Sequence, residues 1–211
     1  MYEVHQIEDQ NRSVLERSLA AQWDKADRIV DFISPWDSGK IEKIEFQALW
    51  DTKNFYFLFK VYDQNIHIDR NDDSIESIGN SDRVELFFRT NKEMNPYFCL
   101  EMDPSNRVMD FKAYPGKKFD FDWTWPKDNL TLKSAINKDF FTVEGQISLS
   151  SLKELGVIKD DKMEVGVFRA KFNKSEFEDY KPTWISWIKP NSETPNFHIP
   201  SAFGVFQLKN D

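Results

Sequence analysis

Residues 55–62, FYFLFKVY, and residues 141–149, FTVEGQISL, decide the fold class of this 211-residue chain. In the first stretch every odd position is apolar. In the second, the odd positions are apolar or glycine, and they alternate with Thr, Glu, Gln and Ser. A period of two puts successive side chains on opposite faces of an extended chain. Both stretches therefore predict half-buried β-strands.

Seven further runs are rich in β-branched and aromatic residues and are separated by Asp, Asn, Gly and Pro. They cover residues 43–50, 82–88, 97–102, 107–113, 129–137, 163–172 and 202–208. Because no regular helices lie between them, antiparallel pairing is favoured over βαβ units. We predict one all-β domain over residues 1–211, an antiparallel β-sandwich of the immunoglobulin-like or jelly-roll type. A short N-terminal helix is predicted over residues 13–26, and one helical turn over residues 151–155.

Composition excludes several classes of function. The formal net charge of −8 argues against a nucleic-acid partner, which needs clustered Lys and Arg. The single cysteine, Cys99, excludes an intrachain disulfide and is expected to be a buried small residue. No apolar run approaches the roughly 20 residues of a membrane span, so we expect no membrane partner. We also expect a monomer. Residues 1–10 lack signal-peptide features, so an extracellular or periplasmic location would require a signal that has been removed.

Four short segments occur in a specific order along the chain. They are WDKA at residues 23–26, ALWDTKNFYFLFKVYD at 48–63, SDRVELFF at 81–88, and the pair ISW at 185–187 with PSAFG at 200–204. Their order and spacing resemble carbohydrate-binding module family 9, a group of β-sandwich domains attached to polysaccharide-degrading enzymes. The resemblance implies a non-catalytic carbohydrate-binding module, or a stand-alone relative, whose partner is a mono- or oligosaccharide.

The resemblance also implies site residues. Glu85 matches a carboxylate that hydrogen-bonds sugar hydroxyls, and Cys99 and Glu101 match two polar positions on the neighbouring strand. Two tryptophans clamp the sugar ring in binding members, and here Gly79 and Phe197 stand near those positions. The Tyr-x-x-x-Glu strand at residues 97–101 and FHIPS at 197–201 resemble a divergent branch of the family.

Aromatic residues offer further candidates for sugar stacking. Trp123 and Trp125 in DFDWTWP, residues 120–126, share one face of an extended segment. They predict either a sugar platform or a cap on an open end of the sandwich. Trp184 is a better ligand candidate than Trp187, although either side chain could instead pack in the core. His198 directly follows Phe197, which stands near one of the clamp positions that the resemblance implies.

Charged residues interrupt one apolar face. Arg169 and Lys171 continue the face of Met163, Val165 and Val167. Either they pair with Glu85 and Glu101 in a polar pocket, or the strand emerges into solvent. We expect the pocket. The predicted ligand-binding residues are thus Glu85, Glu101, Arg169, Trp184, Phe197, His198, Trp123 and Trp125.

An oxygen-rich loop follows the strand that ends near residue 62. Asp63, Asp72 and Asp73 supply the hard oxygen ligands that calcium prefers, and the resemblance implies structural calcium. A solvated acidic loop is the alternative.

Three other functions stay open at this point. Glu85 and Glu101 on neighbouring strands could serve a small glycoside hydrolase. Haem-binding sandwiches are distant relatives of the family, and Met102, Met109 or His198 could then be axial ligands. A protein-interaction domain without a small ligand is the third.

Overall fold

The structure is a computed structural model that describes residues 1–9, 22–176 and 179–210. Twelve strands and two short helices lie in these ranges. The strands are β1 (Tyr2–Gln6), β2 (Ile44–Trp50), β3 (Asn54–Val61), β4 (Arg83–Arg89), β5 (Tyr97–Met102), β6 (Val108–Tyr114), β7 (Lys118–Asp120), β8 (Leu130–Ile136), β9 (Phe141–Ser148), β10 (Lys162–Lys174), β11 (Tyr180–Ser186) and β12 (Gly204–Lys209). The helices are α1 (Ile75–Gly79) and α2 (Leu149–Glu154).

The strands form a continuous hydrogen-bonded sheet in the order β7-β6-β5-β4-β10-β12-β1-β2-β3-β9-β8. β11 pairs with the later part of the long strand β10. Pairing is antiparallel throughout except at β1, which runs parallel to both β12 and β2. The predicted antiparallel arrangement is therefore confirmed apart from β1, a strand that the sequence analysis did not predict.

Two parts of this sheet face each other. The guanidinium of Arg169 on β10 lies 5.7 Å from the ring centroid of Phe141 on β9, although the two strands are not neighbours in the sheet. One buried cluster joins β2, β3 and β9 on one side to β4, β5 and β10 on the other. The predicted all-β sandwich is confirmed, and its interior is the space between these strand groups.

The two deciding stretches pair with each other. Phe57 of β3 lies opposite Gly145 of β9 in the antiparallel ladder. A Cβ atom added at Gly145 would lie 2.1 Å from the Phe57 ring, so the ring fills the space that any other residue would need. Glycine at this position lets a large aromatic side chain pack across the strand pair.

The helical content is minor. The predicted turn near residue 151 is confirmed as α2, whose first turn is capped by Ser148 through its hydroxyl. Helix α1 was not predicted, and Ser74 caps it in the same way. Of the predicted N-terminal helix, residues 13–21 lie outside the described residues, and a 3₁₀ turn spans Trp23–Lys25. No helix in the described ranges is long and apolar enough to cross a membrane.

Candidate functional site

A cavity of about 200 Å³ lies on the face of β4 and β5 that points away from the sandwich interior. Its lining residues are Arg83, Glu85, Glu101, Lys117, Trp184, Pro195, Asn196, Phe197 and His198. Pockets for drug-sized ligands have volumes of roughly 300–1,000 Å³. The smaller volume here suits a single ring.

Two carboxylates form the floor of the cavity. Glu85 on β4 and Glu101 on β5 are direct cross-strand partners. Arg83 Nε lies 2.6 Å from Glu101 Oε2 and 3.0 Å from Glu85 Oε1. Nε carries one hydrogen and donates it to Glu101, so its approach to Glu85 Oε1 is a close contact rather than a second hydrogen bond. One guanidinium therefore holds two buried acidic side chains.

The surroundings of Glu85 favour its protonated form. Burial, and next the neighbouring charge of Glu101, raises the pKa of Glu85 to about 8, although Arg83 opposes the shift. Glu85 is thus neutral at pH 7 and can donate a hydrogen bond. Arg83 and Glu101 remain as an ion pair, which keeps the floor close to neutral overall. The pKa of the adjacent Cys99 thiol is also raised by burial, as expected for an unreactive cysteine.

Arg83 is fixed from several directions. Its Nη1 donates to the carbonyl of Gly79, the last residue of α1, at 2.7 Å. Its guanidinium lies 5.6 Å from the Trp184 ring centroid and 6.0 Å from that of Phe172. Nη2 has no hydrogen-bond partner among residues 1–9, 22–176 and 179–210. Its N–H groups are therefore available to a ligand.

Aromatic side chains form one wall of the cavity. The Phe197 ring stacks on Phe168 of β10 with centroids 4.1 Å apart and an interplanar angle of 10°. Trp184 of β11 meets Phe197 edge to face at 5.7 Å. Phe197 is buried, whereas Trp184 is only half-buried. Trp184 therefore offers more accessible aromatic surface than Phe197.

His198 closes the wall beside Phe197. Its ring stacks on Phe87, and the Tyr97 hydroxyl lies 3.0 Å from its Nδ1. Burial, with smaller contributions from Lys117 and Arg83, lowers the pKa of His198 to about 4, so the imidazole is neutral at pH 7. Burial raises the pKa of Tyr97, so its hydroxyl keeps its proton. The hydroxyl and Nδ1 of the neutral imidazole share one hydrogen bond, and the His198 tautomer determines which of them donates.

Comparison with known proteins identifies the family. A sequence model of the carbohydrate family 9 binding domain-like family matches residues 17–211. The chain belongs to this family. No curated protein is similar to this family 9 domain at a significant level.

Solved structures share the fold of this family 9 domain. A Bacteroides uniformis protein with a provisional carbohydrate-binding assignment superposes with a TM-score of 0.71 at 13% identity, over 99% of both chains. A family 9 module of Caldicellulosiruptor kristjanssonii in complex with cellotriose has a TM-score of 0.61 at 16% identity, over 99% of this chain and 94% of that chain. The same organism's module in complex with glucose gives 0.57 at 16% identity, over 99% and 96%.

The structure places five of the predicted site residues of the family 9 domain around one cavity. They are Glu85, Glu101, Trp184, Phe197 and His198. The prediction for Arg169 is wrong. Arg169 lies opposite Val84 in the ladder, so it points into the sandwich, whereas Glu85 lies opposite Phe168 and points outward. Arg169 bonds Asp63, and Arg83 takes the place that was expected for it beside the carboxylates.

Trp123 and Trp125 do not line this cavity, so their prediction as a sugar platform is wrong. Trp125 is 4% exposed, packs against Phe88 and Phe98, and donates from Nε1 to Ser151. Trp123 packs on Phe98 at 4.9 Å. Trp125 belongs to the interior cluster, and the half-buried Trp123 packs against that cluster.

The proposed calcium ligands Asp63, Asp72 and Asp73 do not form one cluster. Asp63 is buried and paired with Arg169 and Lys171. Asp73 is 90% exposed, and the Asp72 carboxylate accepts from the backbone N–H of Ser74. Arg107 organises this loop, since its guanidinium donates to the carbonyls of Asp69 and Asp72 and to the Asp103 carboxylate. Protein cations thus occupy the places expected for calcium, and the residues do not fit a calcium site.

Two residues of the site were missed by sequence reasoning. Arg83 stands two positions before Glu85 on the same strand and hence on the same face, and a buried carboxylate requires a nearby cation. That signal was available. Lys117 lies in the turn before β7, at φ 59°, and nothing in its local sequence points to the cavity. Of the suggested haem ligands, Met102 packs in the interior cluster, whereas Met109 and His198 lie on the cavity side of the sheet.

Proposed function

We propose that the cavity binds one sugar ring of a saccharide and that the domain is a non-catalytic carbohydrate-binding module. The observation that carries this proposal is the half-buried indole of Trp184 beside the fixed Arg83–Glu101 ion pair. Apolar C–H faces of a pyranose stack on an aromatic ring, and its hydroxyls need both donors and acceptors at the edge. The solved family 9 complexes with glucose and cellotriose support this assignment.

The polar groups of the cavity suit the hydroxyl groups of a sugar. Glu85 is a neutral donor, and Glu101 is balanced by Arg83. Arg83 Nη2 supplies further donors, while Glu101 supplies acceptor oxygens. This mixture matches hydroxyl groups, which donate and accept at once.

The same geometry disfavours glycoside hydrolysis. A hydrolase needs two carboxyl groups that flank the scissile bond with access to its two sides. Here both acids contact one Arg83 nitrogen, and Glu85 and Glu101 are 1% and 5% exposed. A guanidinium placed between them leaves no room for a glycosidic oxygen there. We therefore assign them to binding.

Isothermal titration calorimetry tests the proposal with glucose, xylose, mannose and their β-linked trisaccharides. We expect at least one of these sugars to bind the wild-type domain and not Trp184→Ala, whereas Trp184→Phe keeps part of the affinity. Ile136→Ala removes an exposed apolar side chain from β8, at the other end of the sheet order, and serves as the matched control. Wild-type binding that survives Trp184→Ala would place the sugar elsewhere, and new reducing ends during incubation would contradict the non-catalytic assignment.

A further inference from the structure

Two exposed phenylalanines stand beside the cavity on the hairpin formed by β6 and β7. Phe119 is 38% exposed and Phe121 is 45% exposed. Phe119 pairs with Ala113 in the ladder, and Ala113 shares its face with Phe111 and Met109. That face is the cavity side of the sheet, because Met109 lies opposite Glu101. Residues 117–122, KKFDFD, are otherwise charged, so the two rings form a defined apolar patch.

The patch is held in place from below. Phe111 is buried and contacts Phe119 at 5.3 Å and Phe121 at 4.9 Å between ring centroids. The two exposed rings are 5.8 Å apart. Rings packed on a buried neighbour lose little conformational entropy when a ligand stacks on them, so the patch is preorganised for binding.

The patch is continuous with the cavity. The Phe119 ring centroid lies 4.8 Å from that of His198, which lines the cavity, and Lys117 on the same hairpin also lines it. In the sheet order β7 lies two strands from β5, which carries Glu101. Two strand spacings are about 10 Å. A chain held by one end in the cavity would reach the patch with its next units.

We propose that Phe119 and Phe121 form a second subsite, which stacks the sugar units that follow the one in the cavity. This inference rests on the proposed function of the cavity. The ligand class is an oligosaccharide of at least two units, because a single ring fills the cavity and does not contact the patch. Phenylalanine has no polar group, so this subsite selects chain length rather than the pattern of hydroxyls.

The experiment compares matched sugars of one and three units on the wild-type domain and Phe119→Ala/Phe121→Ala. The probes are glucose with cellotriose, xylose with xylotriose and mannose with mannotriose, measured by calorimetry. We expect the double variant to lose about tenfold in affinity for the bound trisaccharide and less than about twofold for its monosaccharide. Phe119→Trp/Phe121→Trp should retain trisaccharide affinity, and Ile136→Ala should change neither.

Each outcome separates this subsite from the cavity. If the wild-type domain binds none of the probes, the proposed function and the subsite both fall. If the wild type binds and the double variant matches it on both members of a pair, only the subsite falls. A parallel loss for both members also contradicts the subsite, since the rings would then support the cavity itself. A dimer that the double variant disrupts, with sugar affinity unchanged, would make the patch an interface between two copies.

Discussion

Glu85 and Glu101 lie directly opposite each other on adjacent antiparallel strands, and both contact the Nε atom of Arg83. Like charges in this position repel each other, and burial adds a desolvation cost. Protonation of Glu85 and the cation Arg83 offset both effects. The arrangement fixes the orientation of acceptor oxygens at the cavity floor, so the same three residues affect stability and binding.

Replacement of Arg83 should be costly. Arg83→Met leaves Glu101 buried without its cation, and losing one partner of a buried ion pair costs about 3–5 kcal/mol. We expect a loss of that size in the free energy of unfolding from urea titration. Arg83→Met/Glu101→Gln should recover part of it, because the stranded charge is gone, yet it should still not bind sugar. An unchanged urea midpoint for Arg83→Met would contradict the ion-pair assignment.

Protonation of Glu85 predicts a pH dependence of stability. The pKa of Glu85 rises from 4.5 to about 8 through burial and the charge of Glu101. Between these values the folded chain holds a proton that the unfolded chain releases. The free energy of unfolding therefore falls as the pH rises from about 4.5 to 8, by at most about 1.4 kcal/mol per pH unit.

Glu85→Gln isolates this contribution, since other titrating groups are common to both proteins. The variant should gain stability relative to the wild type at each step from pH 5 to pH 8 in urea unfolding. Parallel pH profiles for the two proteins would show that Glu85 is ionised in the folded chain throughout.

Calcium should not stabilise the domain. Asp63 is buried, which opposes its ionisation, but Arg169 and a hydrogen bond from Lys171 outweigh burial and lower its pKa. Its charge is thus already balanced within the protein. We expect melting temperatures in millimolar calcium and in EDTA to agree within about 1 °C, because a ligand that binds the folded state would raise the value. A rise of several degrees with calcium would restore the metal site.

The missing aromatic clamp can be supplied at Gly79. A Cβ atom there meets no heavy atom within 4 Å, and the Gly79 carbonyl already contacts Arg83. Gly79→Trp should add a second aromatic face to the site and raise monosaccharide affinity by about tenfold. Gly39→Trp is the matched control, because a Cβ at Gly39 also meets nothing within 4 Å and Gly39 does not line the cavity. Equal affinities for Gly79→Trp and wild type would mean that the open space lies outside the sugar's reach.

The alternation of apolar and polar residues made most strands of the sandwich predictable. The odd positions of residues 55–61 all point into the interior, as their period of two indicated. Two strands were missed because they are short. β1 reads YEVHQ, in which only Tyr2 and Val4 alternate on the apolar face, and β7 has three residues. Their positions depend on neighbours that are distant in sequence, which local periodicity does not report.

The site was predicted less completely than the fold. The family resemblance led to Glu85, Glu101 and Phe197, whereas it gave no register between β4 and β10. A shift of one residue in that register exchanges the two faces, and this is why Arg169 was expected beside Glu85 and Glu101. Trp123 and Trp125 were predicted as a sugar platform because the sequence does not show whether their segment covers the interior or faces solvent.

A crystal structure of the domain with the tightest-binding sugar of the panel tests the central claim most directly. We predict electron density for a sugar ring in contact with the Trp184 indole, within hydrogen-bond distance of Arg83 Nη2 and the Glu101 carboxylate. Density for the sugar at any other surface, with this cavity filled only by water, would contradict the account.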